Sequence, residues 1–310
     1  MKRFLLLLTL LTLPLLGQAQ ETYSQEEFLR RYNNLAERVG PSGLGVETLL
    51  NKWEAAWPDD VHQLLARFAF YFDRSRQSSV IQLDRDRYLG REPLLPFTDS
   101  LGNKKNYFED FTFDDDLYAQ ANLAISSAIA AEPLRLDFRM ARIDAMLAYE
   151  KEQPDMTLME LKSLSDKQYK EHPAWEYEGI GQVSGEQFDA LLQDYAVALF
   201  RLGSEAGQNA FRDFSLYLLT YRKDDPMLLN NLGSYYLVKK DFKKAAKYID
   251  QVLKKHPDDM TALQNGLLMA RTQKNTKLEK KYLQMMAQYG ESETDKKSAQ
   301  ARLDAINQKK

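Results

Sequence analysis

The chain has 310 residues, with 42 Lys or Arg against 45 Asp or Glu and no cysteine. The missing cysteines exclude disulfides, thiolate metal sites and cysteine nucleophiles. Past the first 20 positions no segment approaches the roughly 20 consecutive apolar residues that a spanning helix needs.

Residues 1–19 open with Lys2 and Arg3, continue as an apolar run from Phe4 to Leu16, and end on Gly17 and Ala19 around Gln18. That order reads as a secretory signal peptide cleaved before Gln20. No cysteine stands at the cleavage site to be lipidated, so the mature chain is expected free in a Gram-negative periplasm, where nucleic acid is not a partner. Losing Lys2 and Arg3 leaves 40 basic against 45 acidic residues, a mildly acidic protein.

Over residues 20–73 a spacing appears that recurs later: an aliphatic residue, another four on, an apolar residue three further, then proline after five. Val46, Leu50, Trp53 and Pro58 fit it. Trp53 and Trp57 lie one helical turn apart, and Trp53 occupies a packing position, which favours burial over sugar stacking. Asp59 and Asp60 stand where acids complement a helix N-terminus, ahead of a first helix carrying Leu65, Phe68, Ala69 and Phe72.

Residues 74–113 break the pattern. Ser79–Leu83 alternates weakly, Pro93 to Pro96 and Asp99 to Asn103 carry turn chemistry, and Asn106–Phe113 is aromatic and strand-like. This predicts an irregular insertion between hairpins, with a short β-hairpin across Leu101–Lys105. Phe108, Phe111 and Phe113 either pin it to the body or offer a recognition surface.

Residues 114–165 return to helices. Asp114, Asp115 and Asp116 precede Leu117 as capping acids and not as a calcium loop, and Ala121, Ile125, Ala128 and Pro133 repeat the earlier spacing. Residues 166–186, with His172, Pro173, Trp175, Tyr177 and Gly179, Gly181 and Gly185, read as an irregular connection separating two halves. The glycines lack the strand and lysine of a phosphate cradle, and Glu176 and Glu178 have nothing to orient them as acid and base. His62, His172 and His256 show no metal-ligand spacing. No cofactor or metal is expected.

Residues 187–290 hold the clearest signal. Ala210, Phe214 and Tyr217 form a weak second helix, and Pro226–Asp259 is a 34-residue unit with Leu232-Gly233, Tyr236, Ala245, Ile249, Val252 and Pro257. From Met260 a further unit begins, with Gly266 and Leu267 exchanged at the Leu-Gly position. Ala299, Leu303 and Ile306 then draw a narrow stripe suited to a capping helix and tail over 291–310. Between Lys239 and Lys281 there are 12 basic residues against five acids, read as a solvated outer face or as an attraction to an acidic partner or anionic membrane.

The landmarks of Pro226–Asp259 resemble the tetratricopeptide repeat (TPR), the pattern seen in exported bacterial TPR proteins of unassigned role. The resemblance implies an all-α fold, a TPR-like α-solenoid of antiparallel helical hairpins, whose stability comes from stacking neighbours. It implies that Gly233 and Ala245 are small where the two helices approach closely. It further implies a concave groove lined by first-helix residues: Met227, Asn230, Asn231, Ser234 and Leu237 from the clear unit, and Gln264, Leu268 and Arg271 from the next. Asn231, Asn265 and Arg271 keep a trace of the set that clamps a C-terminal carboxylate. The expected function is a non-enzymatic periplasmic scaffold or adaptor holding a protein or peptide of the cell envelope. Two alternatives stay open: a glycan- or cell-wall-associated protein using the insertion aromatics and the Trp175–Tyr177 loop, and a subunit of an assembly that buries the insertion.

Overall fold

The computed structural model describes residues 23–290 and 292–308; the expected signal peptide lies outside them. The described residues form an all-α, TPR-like solenoid with two small antiparallel sheets. Its N-terminal helices are α1 (Gln25–Val39), α2 (Val46–Ala56) and α3 (Val61–Ser75), succeeded by strands β1 (Arg76–Leu83) and β2 (Asn106–Phe113). Then come α4 (Asp115–Ala131), α5 (Leu136–Glu150), α6 (Asp155–Glu171), β3 (Glu176–Tyr177) and β4 (Gly181–Gln182). The C-terminal helices are α7 (Gly185–Arg201), α8 (Glu205–Leu218), α9 (Pro226–Val238), α10 (Phe242–Lys255), α11 (Met260–Thr272), α12 (Thr276–Tyr289) and α13 (Glu293–Gln308). Odd helices pack on the next even one from α1 to α12, and α13 packs on α12. No helix among the described residues is long and apolar enough to cross a membrane.

The repeat can be traced to the residue. Helices α11 and α12 begin 34 residues after α9 and α10. Their N-caps repeat in the same way: Asp225 and Asp259 bind the first-turn amides of α9 and α11, and Asp241 and Asn275 those of α10 and α12. Even the left-handed turn residues repeat, Lys240 at φ 57° and Lys274 at φ 54°. The exchanged Gly266 therefore leaves the register intact. A Cβ there would lie 2.4 Å from the ring of Tyr282, whereas one on Gly233 would meet nothing nearer than Ile249 Cγ1 at 3.5 Å, an ordinary contact. The close approach expected at Gly233 falls instead at Gly266.

The apolar landmarks form the core. Val46, Leu50, Trp53, Ala121, Ile125, Ala128, Ala210, Phe214, Ala245, Ile249 and Val252 are all buried. Trp53 stacks on Phe28, and its Nε1 donates to Asp60 Oδ2 at 2.8 Å while Oδ1 caps α3 through the His62 amide. Trp57 lies beyond the end of α2, 39 % exposed, with its Nε1 bonded to the Tyr23 carbonyl.

The insertion interrupts a hairpin and does not separate two. Strands β1 and β2 pair antiparallel from Arg76↔Phe113 to Leu83↔Asn106, and the Asp114 amide closes their base on the Ser75 carbonyl at 2.9 Å. Because a β-hairpin starts and ends at one place, it substitutes for the short α3–α4 turn without parting the helices. The expected Leu101–Lys105 hairpin is only the outer tip of this element, an Asp99–Asn103 turn flanked by a Thr98↔Lys104 bridge. Phe108 is 1 % exposed against Tyr88, and Phe113 packs among Phe72, Tyr118 and Tyr149. Asp110, bonded to Tyr88 and to Lys151 Nζ, pins the sheet to the α5–α6 turn.

Residues 166–186 also differ from expectation. Helix α6 continues to Glu171, and strands β3 and β4 form a two-rung hairpin behind Trp175. Trp175 is 1 % exposed, stacks on Phe188 and belongs to one continuous core running from Leu136 to Tyr235. The segment joins the halves; it does not divide them. Asp166 on α6 adds a polar tie, accepting from Lys170 Nζ at 2.7 Å and from the hydroxyls of Tyr217 and Tyr221. Lys170 and then the two hydroxyls hold its carboxyl down at about 2. A depressed folded value stabilises above the unfolded carboxylate range, and that contribution is lost as pH falls from about 4 through about 2. The destabilisation caused by Asp166→Asn, read from urea midpoints, is therefore expected at full size at pH 7 and much smaller near pH 2.

Candidate concave groove

The first helices α7, α9 and α11 succeed one another along the C-terminal solenoid. Helix α7 is started by a capping box: the Ser184 hydroxyl accepts from the Gln187 amide, and the Gln187 side chain accepts from the Ser184 amide. Between α7 and α9 lies a cleft of about 350 Å³. Glu186, Asp189, Gln193 and Asp194 line its α7 side, and Arg222 and Met227 the other. Arg222 is tied to Asp225 and, at 3.4 Å, to Asp189. Burial disfavours its charge, but Asp225 and Asp189 outweigh that and raise its pKa. Its Nη1 is buried without a hydrogen-bond partner among the described residues.

The expected groove residues divide into two sets. Asn230 and Asn231 are 6 % and 7 % exposed. The Asn230 amide donates to the Asp259 carboxylate at 3.0 Å, joining α9 to the N-cap of α11. The Asn231 amide exchanges hydrogen bonds with Gln193 at 2.8 and 3.0 Å, joining α9 to α7. Both fix the spacing of hairpins and offer little to a partner, which corrects their assignment as contact residues. Leu237 is half-buried against the C-terminal core. Ser234 is half-buried and accepts from Asn265 Nδ2 at 3.1 Å. The supposed carboxylate-clamp trace is thus spent: Asn231 and Asn265 bond within the fold, and Arg271 Nε donates to Glu279 at 3.0 Å.

Accessible surface remains at Met227, half-buried in the cleft, and at Gln264, Leu268 and Arg271. The last three lie at i, i+4 and i+7 on α11, hence on one face, and Leu268 is 56 % exposed. Sequence reasoning missed the α7 side of the groove, Glu186, Asp189, Gln193 and Asp194. The signal was present in Ser184-x-x-Gln187, a capping-box pattern that marks the start of α7.

A second concavity lies where the insertion meets the solenoid. Leu89, Gly90 and Arg91 face Leu147, Val197 and Arg201 across about 460 Å³, and a φ of +76° at Gly90 lets the turn pass close to the Arg201 carbonyl. Next to it, Phe111 carries the guanidinium of Arg76 at 4.9 Å and that of Arg91 at 5.9 Å. The Tyr195 hydroxyl donates to Asp144 at 2.7 Å, and crowding by surrounding protein raises the Asp144 pKa despite that bond.

No family model matches the chain, and no curated protein matches it. Among solved structures, one of PilF from Pseudomonas aeruginosa aligns with a TM-score of 0.33 and 9 % identity over 89 % of this chain and 96 % of that one. Agreement at that level carries no functional argument, and the fold rests on the chain's own repeat geometry.

Proposed function

We propose that the protein is a non-enzymatic scaffold or adaptor of the periplasm that holds a protein or peptide segment of the cell envelope in the groove of α7, α9 and α11. The observation that supports this most is the pairing of a cleft beside Met227 with an exposed leucine, Leu268, on the matching face two helices along. An extended segment laid across these helices would place an apolar side chain at each. The exposed carboxylates of Glu186 and Asp194 favour a basic side chain at the α7 end. The compartment is read from the export signal of residues 1–19.

Burial of Trp175 and Phe108 argues against the glycan alternative, since neither ring presents a face for a sugar to stack on. A photo-crosslinking residue at Gln264 or Leu268 is expected to trap a defined envelope protein that the same residue at Lys254, exposed on the second-helix side of α10, does not. Equal trapping from both positions would overturn the groove reading.

A further inference from the structure

The β-sheet of the insertion has two long sides, and only one is guarded. Beyond β2, residues 94–97 pair with Tyr107 through the Leu94 amide and the Leu95 carbonyl, and Pro93 and Pro96 interrupt that side as a template for further strands. On the other side β1 is eight residues long, unbroken in register and free of proline, lysine and bulge. Apart from the Arg76 amide, which donates to the Asp73 carbonyl at the end of α3, its outward backbone groups have no backbone partner among the described residues, and Val80 is 63 % exposed at its centre. Natural edges of this length are normally blunted.

We propose that this edge pairs with a second copy of itself, β1 against β1 in antiparallel fashion, joining two insertions into one continuous sheet. Along an antiparallel strand, alternate residues turn both backbone groups outward, so two identical edges can mate only in registers that pair residues of like parity. Of these, the register centred on Val80 sets Val80 against its own copy. Continued one residue past the end of β1, it also brings Arg76 against Asp84 at both ends of the seam. Centring on Ser79 would set Arg76 against Gln82, and centring on Ile81 would set Asp84 against Ser78, leaving charges unmatched. Arg76 and Asp84 are both exposed, and the ion pair that Arg76 makes among the described residues is a loose 3.7 Å contact to Asp73. Arg76 and Val80 share one face by strand alternation, and Asp84 follows directly on the end of β1, so charge complementarity at the ends of the seam flanks the apolar contact at its centre. An isologous seam of one strand per copy is small and gives a reversible, concentration-dependent dimer.

Sedimentation of the purified chain over a range of concentrations tests this. The expected result is a monomer–dimer equilibrium that Val80→Lys abolishes by opposing two ammonium groups on the axis. Arg76→Glu and Asp84→Arg should each weaken it at least about tenfold, because each turns two attractive pairs repulsive. The double variant, which restores opposite charges, should return to within about threefold of the original. Arg76, Val80 and Asp84 are all exposed at the edge, and unchanged circular dichroism checks that the fold is intact. A chain that stays monomeric throughout, with the edge left to a strand from another protein, would overturn the proposal. So would a dimer that survives Val80→Lys, or a charge-swapped double variant no better than its singles.

Discussion

Trp175→Ala is expected to lower stability by about 3–5 kcal/mol, the range for removing a fully buried tryptophan. The side chain is 1 % exposed, and its ring lies parallel to Phe188 at 6.3 Å between centroids. Arg139 stands 5.3 Å from it, and Nε1 donates to Gln168 Oε1 at 2.8 Å. Alanine therefore leaves a cavity at the junction of α6 and α7 and strips the amide oxygen of Gln168 of its donor. Trp57→Ala is the internal control: at 39 % exposure it should cost well under half as much. Urea denaturation monitored by circular dichroism measures both. The pair also separates a structural tryptophan from a ligand-stacking one, since a stacking residue would lose binding with its stability nearly unchanged.

The second large effect is at the repeat interior. Gly266→Ala pushes a methyl carbon to 2.4–2.8 Å from the ring of Tyr282, which is 1 % exposed and has nowhere to retreat. Overpacking of this kind costs about 1–3 kcal/mol, more than the ~1 kcal/mol that alanine returns in helix propensity. At Gly233 the balance reverses, because the added carbon meets Ile249 Cγ1 at 3.5 Å, and Gly233→Ala should be neutral or stabilising by up to about 1 kcal/mol. Adding Tyr282→Leu to Gly266→Ala should recover part of the loss, which a double-mutant cycle reads directly.

This contrast marks how much of the protein was legible in its sequence. The 34-residue unit identified which hairpins exist because its landmarks report packing inside one repeat, and Ala245, Ile249 and Val252 lie buried at their expected places. The landmarks do not report what a neighbouring hairpin sends across. Asn230 and Asn231 occupy groove positions by spacing, yet Asp259 and Gln193 reach them from the next and preceding hairpins. Within its own hairpin, Gly266 answers to a tyrosine 16 positions later on α12, which the exchanged Leu-Gly landmark does not announce. Likewise, composition identified the insertion, but only the Asp114–Ser75 hydrogen bond shows which turn it replaces. Trp175 sits among glycines and prolines, and the partner that buries it, Phe188, is on the next helix.

The groove is tested most directly by in-cell crosslinking and affinity purification of the tagged chain beside a variant carrying Gln264→Lys, Leu268→Glu and Met227→Glu. These positions are exposed or half-buried, so thermal unfolding should confirm an intact fold. The account predicts that a defined envelope protein is recovered with the unaltered chain and lost with the variant. Undiminished recovery of the same protein by the folded variant would contradict it and move the contact surface off α7, α9 and α11.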